Sequence, residues 1–462
     1  MSAEVIRSWS PQAPDDLIAE APEADACLVA EFAERAREAQ RSWWSIGASG
    51  RAAALTAAAG DLRGQRQQAM NLVVREVGKP LDEAAGEVAR AIAILEYYAQ
   101  ACYFPRGETF PPSATGNGLL FTERRPHGVA GLITPWNFPL AIPLWKAAPA
   151  LAAGNAVLLK PSPEAIGCAQ FLAARLASHL PEGLFVTIAG GASAGESVVR
   201  EADVISFTGS VAIGRAVAAA AVRRAVPVQC ELGGHNAAIV LPDADAARTA
   251  AMIAGAAMGY AGQKCTATRR VIVIGENALF TEALAEAVTA LRPADPAASR
   301  VLVGPVISAA ARARVVAAIK AADEAGGRLM AGGALPDAPG WFIEPALIGG
   351  VPADHPLLHD ETFGPLTIIC SADSLDDAIS MANGVRFGLV TSVHGRDVDA
   401  LLAAAARVDS GMVKINGPTT GVDFYAPFGG EKDSSYGPRE QGMVALDFYT
   451  STRTISFSPH AG

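Results

Sequence analysis

Apolar positions follow two rhythms along the chain. After a short irregular start, the first 110 residues carry them at helical spacing. Leu28, Val29, Phe32, Ala36 and Ala39 share one face of 26–44, and Val88, Ile92 and Leu95 share one face of 81–101. The Ala- and Arg-rich segment 51–77 predicts another long helix. Breakers follow at Pro105, Gly107, Pro111 and Pro112. From residue 118 short apolar runs take over, and 118–125, 128–133, 156–160, 184–189, 204–207, 227–232 and 237–240 read as strands. Ala-rich helical stretches separate them at 140–152, 164–178, 194–200 and 210–224. This alternation predicts an α/β fold with a doubly wound parallel sheet, which binds ligands beyond the carboxyl ends of its strands. It restarts after residue 240, with helices at 243–260, 277–291, 308–325 and 374–383 and strands at 270–274, 365–370 and 390–393. A second α/β domain is therefore expected. Residues 326–364 are rich in Gly, Pro and Asp and should be mostly loop. No internal repeat or low-complexity linker separates the two domains, so they should pack directly.

Composition narrows the class. Half of the 462 residues are hydrophobic and 18% are charged, enough to bury a large core and too apolar for disorder. The 47 acidic against 37 basic residues leave a net charge of -10, which argues against a broad nucleic-acid surface. No run reaches the roughly 18 apolar residues a membrane helix needs; the richest, 147–159, is broken by Pro149, Gly154 and Asn155. The start of the chain has no apolar signal core. Six scattered cysteines form no CxxC, as expected in a reducing, cytoplasmic setting. Only 7 of the 37 basic residues are lysines, so the position of each matters.

Several motifs could carry chemistry, though each has a plain alternative when taken alone. Cys265, in GYAGQKC, could be a nucleophile: Gly262 permits close backbone approach, and Lys264 adjoins it. An isolated cysteine is more often core. Glu231 ends a strand in CELGGHN, where burial would raise its pKa toward that of a general base; the alternative is a solvated loop carboxylate. Asn137, between Pro135 and Pro139, could hold an amide rigidly toward an oxyanion, or simply form an Asx turn. Gly209 and Ser210 open a helix after a strand and could face an anion. GASAG (191–195) matches a nucleophile elbow with Ser193, with Asp243 and His355 as the later partners, yet a tight turn suits it better. His355 and His359 are four apart, but Pro352 and Pro356 break any helix there, and no metal site is expected.

GLITPWNFPLAIPLWKAAPALAAGNAVLLKPSP, SFTGS, CELGGHN, GQKC, ETFGP and PFGG occur in one order. On these motifs the chain resembles the NAD(P)-dependent aldehyde dehydrogenase superfamily from about residue 8 to 455. The resemblance implies Cys265 as nucleophile, Glu231 as the base for deacylation, and Asn137 with the Cys265 backbone N–H as oxyanion donors. Lys146 would lie near the same site. Lys160 would bond the adenosine ribose, with Trp136 and Ser162 also at the cofactor. Gly209 and Ser210 would take the pyrophosphate, and Glu361 and Phe363 the nicotinamide ribose and ring. Phe138, Trp145 and Phe428 would line the aldehyde tunnel. The fold implied is a Rossmann-like cofactor domain (1–112 and 127–232), a second α/β catalytic domain (233–422) and oligomerisation strands at 113–126 and 446–460. A homodimer or homotetramer is expected, with the late strand adding to a neighbour's sheet.

Departures from the family pattern accompany the likeness. His235 stands where the family commonly has lysine. Pro163 stands where many NAD-using members have glutamate, with Glu164 one place on, so NAD and NADP both remain open. The N-terminal β-hairpin that usually precedes the segment SWSPQAPDDLIAEAP is missing. The stretch from GMVKING to PREQG resembles bacterial enzymes acting on semialdehydes of sugar-acid pathways, such as α-ketoglutaric semialdehyde. The competing readings are a serine hydrolase using Ser193 and a non-catalytic binding protein of the same fold.

Overall fold

Val129–Ile133 and Ala156–Lys160 are buried at every position. Strands covered on both faces need no apolar–polar alternation, which is why they read as unbroken apolar runs. The computed structural model describes residues 4–104, 107–112 and 118–458. In it these strands lie inside a six-stranded sheet. Its order is Ser435–Tyr436, Val228–Glu231, Val204–Thr208, Val129–Ile133, Ala156–Lys160, Phe185–Thr187. All neighbours are parallel except Ser435–Tyr436, which pairs antiparallel with Val228–Glu231. The strand order reverses at Val129–Ile133, with Ala156–Lys160 on one side and Val204–Thr208 on the other. The turns leaving the carboxyl ends there carry Asn137 and Gly209, at the switch point where such sheets bind ligands.

Helices Ala26–Ser45, Ala141–Ala152 and Ala192–Glu201 pack on the two central strands. Gly47–Gly64 and Leu81–Ala101 then cover Ala141–Ala152, all twelve residues of which are buried. That explains why this helix is apolar all round.

A second sheet has seven strands in the order Arg328–Ala331, Ala346–Gly349, Leu366–Ala372, Thr268–Ile274, Asn236–Val240, Val390–His394, Met412–Ile415. It is parallel but for its antiparallel edge strand Arg328–Ala331. Residues 232–235 join the two sheets directly. The carboxyl end of Val228–Glu231 therefore meets the amino ends of Asn236–Val240, Thr268–Ile274 and Leu366–Ala372. One buried apolar cluster runs from Val29 and Trp43 through Leu158 to Phe280 and Ile368, so the two sheets share a core. Thr450–Phe457, Leu119–Pro126 and Thr109–Phe110 form a separate antiparallel sheet.

Four expectations change. The start is not irregular: Val5–Trp9 and Leu17–Pro22 form an antiparallel hairpin, so the segment thought to lack a hairpin before it is itself one. Segment 51–77 falls in two helices, Gly47–Gly64 and Arg66–Val77, parted at Gln65 (φ -103°, ψ 16°). The supposed loop 326–364 contains Arg328–Ala331 and Ala346–Gly349, strands of four residues each, too short to show a period. The late strand begins at Thr450, after a short helix Val444–Phe448. Residues 113–117 and 459–460 of the expected oligomerisation strands lie outside the described residues. No helix among the described residues is long and apolar enough to cross a membrane.

Candidate active site

Cys265 sits on the loop that enters Thr268–Ile274. Three successive residues before it, Tyr260, Ala261 and Gly262, have φ of 56°, 50° and 65°. A left-handed backbone costs a non-glycine residue about 1 kcal/mol or more, and such strain persists only where the surroundings enforce it. Here they do. Tyr260 donates its N–H to the Leu302 carbonyl (2.8 Å) and its hydroxyl to the Val77 carbonyl (3.0 Å). Fully buried Gln263 accepts from Ile307 N–H (2.8 Å) and donates to the Pro305 carbonyl (3.2 Å). Arg269 donates to the carbonyls of Gly262 and Gly364, and a Cβ at Gly262 would collide with the latter.

The same loop fixes Asn137. Its Nδ2 donates to the Gln263 carbonyl at 3.0 Å, two residues before Cys265. That bond sets the amide orientation and leaves the second N–H of Nδ2 to offer. The Cys265 carbonyl accepts from Asn236 Nδ2 (2.7 Å). Burial pushes the Cys265 thiol up to about 12, and the charges of Glu361, Glu231 and Glu440 add to it. Lys264, adjacent in sequence, pairs with Glu83 at 2.7 Å.

Glu231 ends its strand buried, and its backbone carbonyl accepts from Gly209 N–H (3.1 Å). Its Oε2 accepts from the Ser435 hydroxyl at 2.7 Å. Burial raises its pKa well above the usual carboxylate range, Glu440 raises it further, and Ser435, Lys146 and Arg439 oppose the rise. Lys146 forms a fully buried ion pair with Glu440. Glu440 also accepts from Ser206 Oγ (3.0 Å) and the Trp145 indole (2.8 Å). Trp145 and Phe428 pack ring to ring at 5.8 Å, both buried, as a wall beside this network.

A second buried pair, Lys79–Glu87, supports the Asn137 turn. Glu87 Oε1 accepts from Leu140 N–H (2.9 Å) and Ala141 N–H (3.0 Å), and so satisfies the start of Ala141–Ala152. The Lys79 ammonium lies 3.6 Å from the centre of the half-buried Phe138 ring. Sequence reasoning found neither Lys79, Glu87, Glu440, Ser435 nor Arg269. The one usable signal was the scarcity of lysine: Lys79, Lys146, Lys160 and Lys264 all reach this region.

Beyond the switch point lie the groups that could hold a nucleotide. Lys160 Nζ, largely buried, makes no hydrogen bond among the described residues. Burial lowers its pKa, and Glu164 and Glu23 partly offset this. An ammonium carried on a largely buried stem, with no partner among the described residues, suits the hydroxyls of a ribose. Ser162 Oγ is bonded to the Glu164 carboxylate. Ser210 caps helix Val211–Arg223, accepting from Ile213 N–H (3.5 Å) and presenting the helix's positive end with Gly209. On the other side, Trp136 meets Phe363 edge to face at 5.8 Å. Glu361 accepts from Gly234 N–H (3.3 Å), and burial raises it to about 6 against the pull of Arg269. His235 is buried against Phe387 (6.5 Å); burial, with Arg270 and Arg269, lowers its pKa well below the usual range and keeps it neutral where a lysine would be charged.

The alternative centres do not assemble. Ser193 is exposed in the first turn of Ala192–Glu201. Asp243 accepts from Arg396 and Asp397 N–H, and His355 Nδ1 accepts from Leu357 N–H. His359 is exposed and bonded to the Ala353 carbonyl. Among the described residues no group of three or more His, Cys, Asp or Glu could hold a metal ion.

Residues 1–455 match the sequence profile of the Aldehyde dehydrogenase family. The chain is 35% identical to the alpha-ketoglutaric semialdehyde dehydrogenase of Bacillus subtilis (strain 168), over 99% of this chain and 96% of that one. It is 35% identical to the 2,5-dioxopentanoate dehydrogenase of Saccharolobus solfataricus, over 89% of this chain and 88% of that one. The crystal structure of betaine aldehyde dehydrogenase from Staphylococcus aureus in complex with NAD+ superposes with a TM-score of 0.94 at 27% identity, covering 98% of this chain and 92% of that one.

Proposed function

The chain belongs to the aldehyde dehydrogenase family, and from that premise we propose that Cys265, Glu231 and Asn137 carry its reaction. The enzyme oxidises an aldehyde or semialdehyde to the carboxylic acid with NAD or NADP. The observation that carries the residue assignment is the Asn137 amide, held to the Gln263 carbonyl beside Cys265 with one N–H still to give.

In this reading Cys265 Sγ bonds to the aldehyde carbon. Its proton passes to Glu231, which cancels one of the three charges that oppose the thiolate. Asn137 and the Cys265 backbone N–H stabilise the oxyanion, each donor worth about 3–4 kcal/mol in comparable sites. Lys160, Ser162, Gly209, Ser210 and Trp136 would hold the nucleotide on one side, and Glu361 and Phe363 the nicotinamide riboside on the other. When bound, the nicotinamide supplies the acceptor that turns thiohemiacetal into thioester. Glu231, its first proton released, then takes one from water as the water oxygen attacks the thioester carbon. The C–S bond breaks, the acid leaves and the thiolate is restored. Cys265→Ala should abolish aldehyde-dependent NAD(P)H formation, and Glu231→Gln should leave a thioester visible by intact mass. Full turnover in either variant would remove that residue from the mechanism.

For the substrate we propose a semialdehyde with a far-end carboxylate, of the α-ketoglutaric kind. Phe138, Trp145 and Phe428 form the apolar wall. Arg90 lies one turn beyond Glu87 on Leu81–Ala101, near Asp423, and makes no ion pair among the described residues. Two turns on, Tyr97 meets Phe424 at 5.7 Å, so residues leading to Phe428 run along this helix. A guanidinium there suits a carboxylate. Arg90→Met should raise KM for the acidic semialdehyde and leave that for benzaldehyde unchanged; equal effects would reject this role.

The first sheet with its helices (1–112 and 127–232) serves as the cofactor domain and 233–422 as the catalytic domain in this proposal. Thr450–Phe457 is an outer strand with one edge unpaired among the described residues, which suits pairing with a second copy in a homodimer or homotetramer. Sedimentation of wild type against Thr454→Pro tests this. No disulfide forms among the described residues, in keeping with a cytoplasmic location.

A further inference from the structure

Ser435 lies directly across the ladder from Glu231, on the two-residue strand that the C-terminal segment adds to the edge of the first sheet. The ladder fixes its backbone, because Leu232 N–H also bonds to the Ser434 carbonyl (2.8 Å), and Ser434 Oγ accepts from Gly388 N–H (3.0 Å). Ser435 Oγ accepts from Gly430 N–H at 2.7 Å and lies 2.7 Å from Glu231 Oε2. The first contact occupies a lone pair of the hydroxyl. Its single hydrogen is then free to point at the carboxylate, so Ser435 donates. The other carboxylate oxygen, Oε1, faces Gly429, where a Cβ would come within 2.7 Å of it.

We infer that Ser435 is a positioning residue for the general base: its hydroxyl holds Glu231 as the ionised acceptor that deacylation requires. The inference rests on the reading of Glu231 as that base. The need for such a group follows from the surroundings. Glu231 is buried at its strand end, Glu440 and Cys265 face it as actual or potential anions, and Cys230 precedes it on the same strand. Burial and Glu440 favour the neutral acid. Lys146, on helix Ala141–Ala152, and Arg439, on the C-terminal segment, oppose this by charge. Lys146 is already bound to Glu440, and Arg439 to Glu431 and the Gly430 carbonyl. Ser435 is the neutral donor in direct contact with the carboxylate.

The sign follows. A donor to the carboxylate stabilises its charged form, so removing it raises the Glu231 pKa. Deacylation in Ser435→Ala should lose rate on the acid side, with its acid limb moved up by roughly one pH unit, the scale of one lost hydrogen bond to a charged acceptor. Well above the limb the rate should match wild type. Ser435→Thr keeps the hydroxyl and should return the limb to its wild-type position.

The probe is p-nitrophenyl acetate, which acylates a reactive cysteine without nucleotide. Decay of the acetyl-enzyme is followed by intact mass across pH in wild type, Ser435→Ala, Ser435→Thr and Glu231→Gln. A Ser435→Ala limb that overlays wild type, while Glu231→Gln fails to deacylate, would overturn the inference and leave the base assignment standing. A Ser435→Ala rate lowered equally at every pH would also overturn it, since lost packing has no pH signature. Normal deacylation in Glu231→Gln would instead overturn the reading on which the inference rests.

Discussion

Lys146→Met offers the sharpest test of the site's buried electrostatics. Lys146 and Glu440 have side chains 0% and 1% exposed. Methionine keeps the length and apolar stem of the lysine, so packing on Ala141–Ala152 changes little. What changes is the charge. Glu440 keeps the Trp145 indole and Ser206 hydroxyl but loses its counter-ion. Removing one partner of a buried pair costs about 3–5 kcal/mol, because the remaining charge stays buried and uncompensated. The two surviving donors place this case near the lower end, about 3 kcal/mol. Lys146→Met/Glu440→Gln removes both charges and should regain all but about 1 kcal/mol, since a neutral pair can match the ionic one. Urea unfolding at fixed protein concentration, followed by circular dichroism, measures both. If Lys146→Met unfolded at the wild-type midpoint, or the double variant were no more stable than the single one, the pair would not be the buried, mutually dependent unit described above. Activity gives a second reading. Lys146 also helps keep Glu231 ionised, so Lys146→Met should slow both acylation and deacylation, most on the acid side.

Further expectations concern the cofactor side and the base. Glu361, held at about 6, is neutral below that pH and ionised above it, so KM for the cofactor should rise as pH falls through about 6 and be flat in Glu361→Gln. Glu164 places a carboxylate at Ser162 and near Lys160, where it would repel a 2′-phosphate; Glu164→Gln should raise kcat/KM with NADP relative to NAD several-fold. Gly429→Ala would put a Cβ 2.6 Å from Arg439 Cδ and 2.7 Å from Glu231 Oε1, so stability should fall by roughly 1–3 kcal/mol and deacylation should slow.

The long elements were legible in the sequence, for a physical reason. Ala26–Ser45 has a clean apolar face, and Val129–Ile133 and Ala156–Lys160 are apolar runs bounded by glycine or proline. Ala346–Gly349 was not legible, because four residues cannot show a period, and its strand character comes from pairing with Leu366–Ala372. Cys265, Glu231 and Asn137, the proposed chemical groups, could be singled out because the motifs that hold them occur together in one order, although each is weak alone. Their supports were hidden. Glu440 acquires its role only when the chain folds back on a helix almost 300 residues earlier, and nothing around PREQG marks it. Lys264 shows a different limit of the sequence. Adjacency in sequence could not say whether it faces Cys265, and in the fold its ammonium pairs with Glu83.

The strand Ser435–Tyr436 also has a consequence in time. A ribosome delivers Cys265, its strained loop and the parallel strands of both sheets before it delivers residues 428–440. Until then Glu231 lies on an open sheet edge without Ser435, Lys146 is buried without Glu440, and Phe428 has not closed the wall. On the proposed assignment, a nascent chain therefore holds its thiol in a cleft unable to complete turnover until residues 428–440 have crossed back. Translation arrested just short of that crossing should yield a product that folds in large part and oxidises nothing.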